Sequence, residues 1–308
     1  MTYEANLMQL YYPESTWIEN ALPGEHYVHT GRSKPSIFDN DRSHISSDNS
    51  TALLLTSQPH FPDLLVDEAS HLLSVTDLRP ALGDFLSGQS YMFRNSRRVS
   101  SPNSSLPFSH IHVWSKFRIQ QRSTQSLQMV SPAQTVQAAP PSPTLPFGRA
   151  NTILIAHESG DQTSDVIEER MTFVSLAILT DTFFEGYLVA QVRAILQPVT
   201  TPPHSPLLYV EFFNFSNAHF VVVNDICVVA PAPKIDMFLV HRRFRSNGAP
   251  LGDIIAIDAV RQVVQLVPKF GALAAREMTC DNILDIAREF YINSFADKET
   301  FHAILSYQ

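Results

Sequence analysis

YLVAQVRAIL (187–196) and LLYVEFFNF (207–215), separated by the proline-rich QPVTTPPHSP (197–206), decide the fold. Both runs are rich in branched and aromatic residues broken by single polar ones: Gln191, Arg193, Glu211 and Asn214. Such runs form strands, because these side chains fit a pleated surface, and the prolines between them withhold the N–H that would extend a ladder. Similar runs follow on both sides: NTILIA (151–156) before them, and AHFVVVNDICVV (218–229), DMFLVHRRF (236–244), GDIIAI (252–257) and RQVVQLV (261–267) after them. With no long helical pattern in between, they predict an antiparallel sheet or small barrel rather than a doubly wound α/β fold.

Further toward the N-terminus, IHVWSKFRIQQRS (111–123) also alternates, with a bulge expected near Ser115. VTDLRPALGDFL (75–86) has helical spacing, placing Leu78, Ala81, Leu82, Phe85 and Leu86 on one face. Thr76 is in position to cap that helix, Pro80 falls in its first turn, and Gly88 ends it. At the other end, Asp297 caps a helix that aligns Phe301, Ile304 and Leu305. The fold class is therefore α+β, predominantly antiparallel β, with a short N-terminal and a C-terminal helix. Residues 1–62 show neither helical nor strand periodicity and read as an irregular arm; residues 63–308 read as one mostly-β domain. Within it, residues 131–146 hold too many prolines for a central strand and should run extended over the surface.

The formal charge of −8 disfavours a dedicated nucleic-acid binder, so any phosphate contact must come from a local patch. Cys227 and Cys280 have no metal-ligand or redox spacing and are too few for a disulfide framework, which suggests a reducing compartment. The first residues lack a charged n-region and an apolar h-region, and no apolar window approaches the roughly 20 residues that span a bilayer. The expectation is an intracellular protein, nuclear or cytoplasmic, without a membrane partner. The sequons at Asn49, Asn103 and Asn214 then read as chance matches.

No motif points to a reaction or a cofactor. The sequence has no GxG pair and no GxSxG elbow, and Gly83 and Gly88, which have phosphate-loop spacing, are followed by Gln89 where a lysine is needed. His110 and His112 would share one face of a strand, and His157 or Glu211 could join them around a metal, but no third ligand stands at a fixed spacing. Asp225, Asp236, Asp253 and Asp258 each border an apolar run, as turn-forming aspartates do. Two basic clusters remain: Arg94, Arg97 and Arg98 in a polar loop, and His241, Arg242, Arg243, Phe244 and Arg245 at a strand end. The second interleaves an aromatic ring with guanidinium groups, a combination suited to a phosphate, a base or a partner's apolar surface.

The ordered series DLRPAL (77–82), HVWSKFRIQQRS (112–123), TVQAAPPSPTLPFGRANTIL (135–154), VAQVRAIL (189–196), LLYVEFF (207–213), GDIIAIDAVRQVVQLVPKFG (252–271) and EFYINSFADKETFHAIL (289–305) resembles the C-terminal domain of unknown function in Plavaka-type transposon-encoded proteins of basidiomycete fungi. That resemblance implies descent from a mobile element and a nuclear setting, with transposase chemistry elsewhere in longer relatives and no catalytic residues here. Asn151 departs from the more often acidic residue of that pattern, and VIEERMTFVSLAILTDTFFEG (166–186) is longer than the flanking motifs require, consistent with an insert of retained intron sequence. The strands ending in LVPKFG also resemble, more faintly, the β-barrel of bromo-adjacent homology modules, which bind chromatin proteins. Together these readings predict a non-enzymatic interaction domain that touches protein or nucleic acid through residues 241–245. The alternatives are a metal-dependent hydrolase or nuclease using His110 and His112, and a degenerate element without selected function.

Overall fold

A computed structural model describes residues 36–88, 98–123, 129–156, 187–216, 220–223, 226–232, 234–270, 277–279, 281–297, 300, 301 and 304. Its strands, in chain order, are β1 (His44–Ile45), β2 (Thr51–Leu55), β3 (Phe61–Leu65), β4 (His110–Trp114), β5 (Lys116–Gln121), β6 (Gln134–Ala139), β7 (Arg149–Ala150), β8 (Thr152–Ala156), β9 (Tyr187–Pro198), β10 (Leu207–Phe215), β11 (Phe220–Val223), β12 (Ile226–Val229), β13 (Leu239–Arg242), β14 (Gly252–Ala256), β15 (Val260–Val264), β16 (Leu266–Pro268) and β17 (Glu289–Ile292). The helices are α1 (Val66–Leu72), α2 (Leu78–Leu86) and the single turn α3 (Ile283–Ile286).

The long pair β9–β10 is the axis of the molecule, and each of its outer edges is shared by two neighbours. The outer edge of β9 pairs with β8 over residues 187–191 and with β4 over 195–198, while β10 pairs with β14 over 207–211 and with β13 over 213–215. Where the neighbours change, Tyr209 pairs with Ala194 but Val210 pairs with Val192, which leaves Arg193 as an extra, bulged residue. A bulge bends its strand and sharpens the twist, so the two ends of the sheet diverge there. At one end the order runs β15-β8-β9-β10-β13-β17-β16; at the other, β3 and β4 flank β9, and β14 flanks β10. All of these pairings are antiparallel and the sheet curls into a half-barrel, as the strand runs predict.

A five-stranded sheet, β1-β2-β5-β6-β7, covers one face. The chain returns to it at Ser115, where β4 ends in one sheet and β5 begins in the other; the irregularity expected there is a corner between sheets. Side chains close the seam in place of a ladder. Thr51 Oγ1 and Gln121 Nε2 both donate to the Arg261 carbonyl, at 3.0 and 2.8 Å. On the opposite side, Asn151 accepts from the Gln137 N–H through Oδ1 at 2.6 Å and donates its own N–H to the Gln137 carbonyl.

Alternation along β10 sorts its side chains between cores. Leu208, Val210 and Phe212 meet Leu53, Phe117, Ile119 and Val136 of the covering sheet. On the other face, Leu207 and Tyr209 pack under α1 and α2 with Val66, Leu78 and Leu82, and Phe213 and Phe215 pack with Phe238, Val240, Phe290 and Ile292. Glu211 lies between those two apolar groups, on the same face.

Several expectations change. Residues 36–62 of the supposed irregular arm contain β1, β2 and the start of β3, and Ile37 is 1% exposed. Thr51, Ala52 and Leu53 are buried in succession, so β2 shows no period-2 pattern in the sequence. Within the proline-rich stretch, residues 134–139 pair with β5 and β7 and bury Val136 and Ala138, and residues 142–145 turn back on themselves, the Ser142 N–H donating to the Leu145 carbonyl at 2.9 Å. AHFVVVNDICVV divides into β11 and β12, which pair with each other. The N-cap of α2 is Asp77, not Thr76, and its carboxylate makes no capping bond. Gly88, with φ +66°, ends that helix as expected, and Asp297 accepts from the Thr300 N–H at 2.7 Å at the start of the last helical turn. The insert at 166–186 lies outside the described residues.

Candidate functional site

The 241–245 cluster lies at the end of β13 and in the hairpin leading to β14. Arg242 pairs in register with Phe213, lies 4.9 Å from that ring's centre, and is 4% exposed. Its Nη1 donates to Glu211 Oε2 and its Nη2 to Gln191 Oε1, each at 2.6 Å, and Nη2 also reaches the Leu284 carbonyl. The bulged Arg193 completes the group, 3.6 Å from Glu211 and 2.8 Å from Asp285. Burial lowers the Arg242 pKa from its ordinary value despite the carboxylates beside it. Arg242 therefore seals the polar gap between two apolar cores and is not available to a partner.

Arg245 belongs to a second cluster. Its Nη2 binds Asp77 Oδ2 and approaches the Gly252 carbonyl at 3.3 Å. Arg98, from the other basic loop, donates to Asp77 at 2.8 Å, to Asp253 at 3.0 Å and to the Gly252 carbonyl at 2.6 Å, and lies 3.5 Å from Asp84. Tyr209 donates to Asp77 Oδ1, its ring lying over Gly252, where an added Cβ would come within 2.0 Å of the phenol oxygen. Burial works against the Asp77 carboxylate, yet Arg98, Tyr209 and Arg245 hold it below the ordinary aspartate value. Burial and Asp77 push the Tyr209 phenol well above its ordinary value, so it stays a donor. Burial opposes the Arg98 charge too, and Asp77 and Asp253 more than restore it, raising its pKa above the ordinary value. This cluster ties α2, Arg98, β10 and the β13–β14 hairpin into one block.

What the cluster leaves at the surface is smaller than the sequence suggests. Phe244 is 42% exposed, while His241 and Arg243 are half-buried. Burial lowers the His241 pKa, opposed by Glu289 and assisted by Arg243. The hairpin is closed by its own backbone: Phe244 bridges Pro250, Arg245 and Ala249 share an N–H···O bond of 2.8 Å, and Gly248, at φ +80°, makes the turn that a side chain would strain. Arg94 and Arg97 lie outside the described residues.

His110 and His112 do alternate onto one face of β4, and the Nδ1 of each ring is engaged within the protein: His110 Nδ1 with Ser109 Oγ at 2.8 Å, and His112 Nδ1 with the Asp63 N–H at 3.1 Å. Glu211 belongs to Arg242, and His157 lies outside the described residues. Among the described residues no three His, Cys, Asp or Glu side chains gather as a metal site, and Asp236, Asp253 and Asp258 do not meet. Nor is any helix among them long and apolar enough to cross a membrane.

Sequence reading overlooked Asp77, Asp84, Gln191, Tyr209 and Gly252, and considered Glu211 only as a metal ligand where the structure makes it the partner of Arg242. One signal was legible: in LLYVEFF, Glu211 occupies the same face as Tyr209 and Phe213, and a charge on a core face requires a partner.

The fold and its clusters define a curled antiparallel β protein whose charged interior is paired with itself. Residues 29–164 match the family described as a domain of unknown function (DUF6830). No curated protein and no solved structure matches the chain. The matched span does not close on itself in this structure. Its strands β4 and β8 meet only through β9, and both the core under the covering sheet and the core under α1 and α2 draw residues from beyond residue 187.

Proposed function

We propose that this chain is a non-enzymatic interaction domain whose contact point is the β13–β14 hairpin, centred on Phe244 with Arg243 and His241 beside it. The observation that carries this reading is an exposed aromatic side chain on a hairpin whose root is tied down by the buried Arg242 and the partly buried Arg245. Rigidly presented aromatic and arginine side chains supply most of the binding energy at protein interfaces, since little conformational freedom is lost on contact. With Arg98, Arg242 and Arg245 consumed internally, a protein partner such as a chromatin protein suits this surface better than a nucleic acid, which would require several free cations. Descent from a mobile element and a nuclear setting belong to the same proposal, supported by the seven ordered segments that resemble the Plavaka-type proteins.

The test is a binding screen of the full chain against histones and duplex DNA with Phe244→Ala and Arg243→Ala. Arg242 must be left intact, because its removal would damage the core and mimic lost binding. A wild-type interaction that Phe244→Ala weakens at least tenfold with unchanged thermal stability supports the reading. Equal binding by wild type and both variants would reject this hairpin as the contact.

A further inference from the structure

The edge strand β3 is poorly suited to its place. It contains Pro62, which has no N–H, and Asp63 in the left-handed region at φ +55°, and its register against β4 breaks between Phe61 and Leu64. Immediately beyond β4 lies the corner at Ser115. Two backbone N–H groups at these irregular points receive their acceptor from a histidine ring: the Asp63 N–H donates to His112 Nδ1 at 3.1 Å, and the Ser115 N–H donates to His60 Nδ1 at 3.2 Å. The His60 N–H itself donates to the Val113 carbonyl at 2.9 Å, which places this ring over the end of β4.

An imidazole accepts through Nδ1 only when neutral and protonated on Nε2; the imidazolium carries N–H on both nitrogens and accepts nothing. We propose that the β3–β4 edge is an acid-sensitive latch, closed by neutral His60 and His112 and loosened when either ring takes up a proton. Protonation would set two N–H donors against each other at each position, one at the break in the β3–β4 register and one at the corner beyond β4. The charged and titratable groups around it are Asp63 on β3, His110 on β4, Lys116 just past the corner, and Asp67, Glu68 and His71 on α1; β9 presents uncharged Gln197 opposite His112, and Trp114 meets the His112 ring edge-on at 6.2 Å. Opening would uncover the outer edge of β4, a ladder able to pair with another strand. The latch is independent of the hairpin around Phe244.

Amide hydrogen exchange on the full chain, corrected for intrinsic rates and compared between pH 7.5 and 5.5, tests this. Protection of the Asp63 and Ser115 amides should fall roughly fivefold to tenfold, the worth of one hydrogen bond, while β9 and β10 keep theirs. In His60→Gln the Ser115 amide, and in His112→Gln the Asp63 amide, should lose this pH dependence, since glutamine accepts without titrating. Unchanged protection in the wild type, equal loss in the variants, or loss throughout the sheet would overturn the proposal. So would nitrogen chemical shifts at pH 7.5 showing either ring protonated on Nδ1, a reading that requires no variant.

Discussion

Replacing Arg242 with alanine is the most severe single change the structure identifies. The side chain is 2% exposed and binds Glu211, Gln191 and the Leu284 carbonyl while covering the Phe213 ring. Its loss leaves Glu211, itself only 13% exposed, with Arg193 at 3.6 Å as its remaining cation. Breaking a buried pair from one side costs about 3–5 kcal/mol, because the surviving charge stays desolvated. At roughly 2–4 °C per kcal/mol for a chain of this size, the melting temperature should fall by about 10 °C. Burial already lowers the Arg242 pKa, so the pair is expensive to keep charged. Arg242→Met combined with Glu211→Leu should therefore recover to within about 2 kcal/mol of wild type, with Arg193 retained by Asp285. Urea denaturation followed by tryptophan fluorescence would measure both. A loss below about 1 kcal/mol in Arg242→Ala, or a double variant no better than the single one, would refute the assignment of Arg242 as the seal between the two cores.

Two further outcomes follow from the second cluster. Gly252→Ala should expel the Tyr209 ring, since the new Cβ would come within 2.0 Å of the phenol oxygen; circular dichroism should show a less stable fold that Tyr209→Ala in the same chain partly restores. Asp77 is held below its ordinary value in the folded state, so its contribution is fully present above about pH 4 and disappears as the pH falls through the folded value. Asp77→Asn should accordingly flatten the acid limb of stability below about pH 4 while lowering stability at neutral pH, and a pH series of melting curves would show whether it does.

Strand identity was legible in the sequence because it depends on side-chain shape and on prolines close along the chain. LLYVEFFNF and YLVAQVRAIL became β10 and β9, and DLRPALGDFL became α2, because branched and apolar spacing acts over neighbouring residues. The antiparallel class followed from having many strands and few helical patterns between them. TALLL escaped notice because a strand covered on both faces loses its alternation.

The fate of the charged residues could not be read in the same way. Arg242, Arg243 and Arg245 are nearly equivalent as a run of letters, yet strand pairing turns Arg242 inward over Phe213, and the hairpin brings Arg245 to Asp77, 168 residues away along the chain. Whether an arginine is a contact or a structural ion depends on what lies within a few ångströms, and those neighbours come from β9, β10, α2 and β14. The sequence by itself determined that this chain would be an antiparallel β protein with a cationic, aromatic strand end. Only the tertiary structure decided that most of that charge is spent inside, leaving Phe244 and its immediate neighbours at the surface, because burial makes an unpaired charge intolerable and long-range folding supplies the pairs.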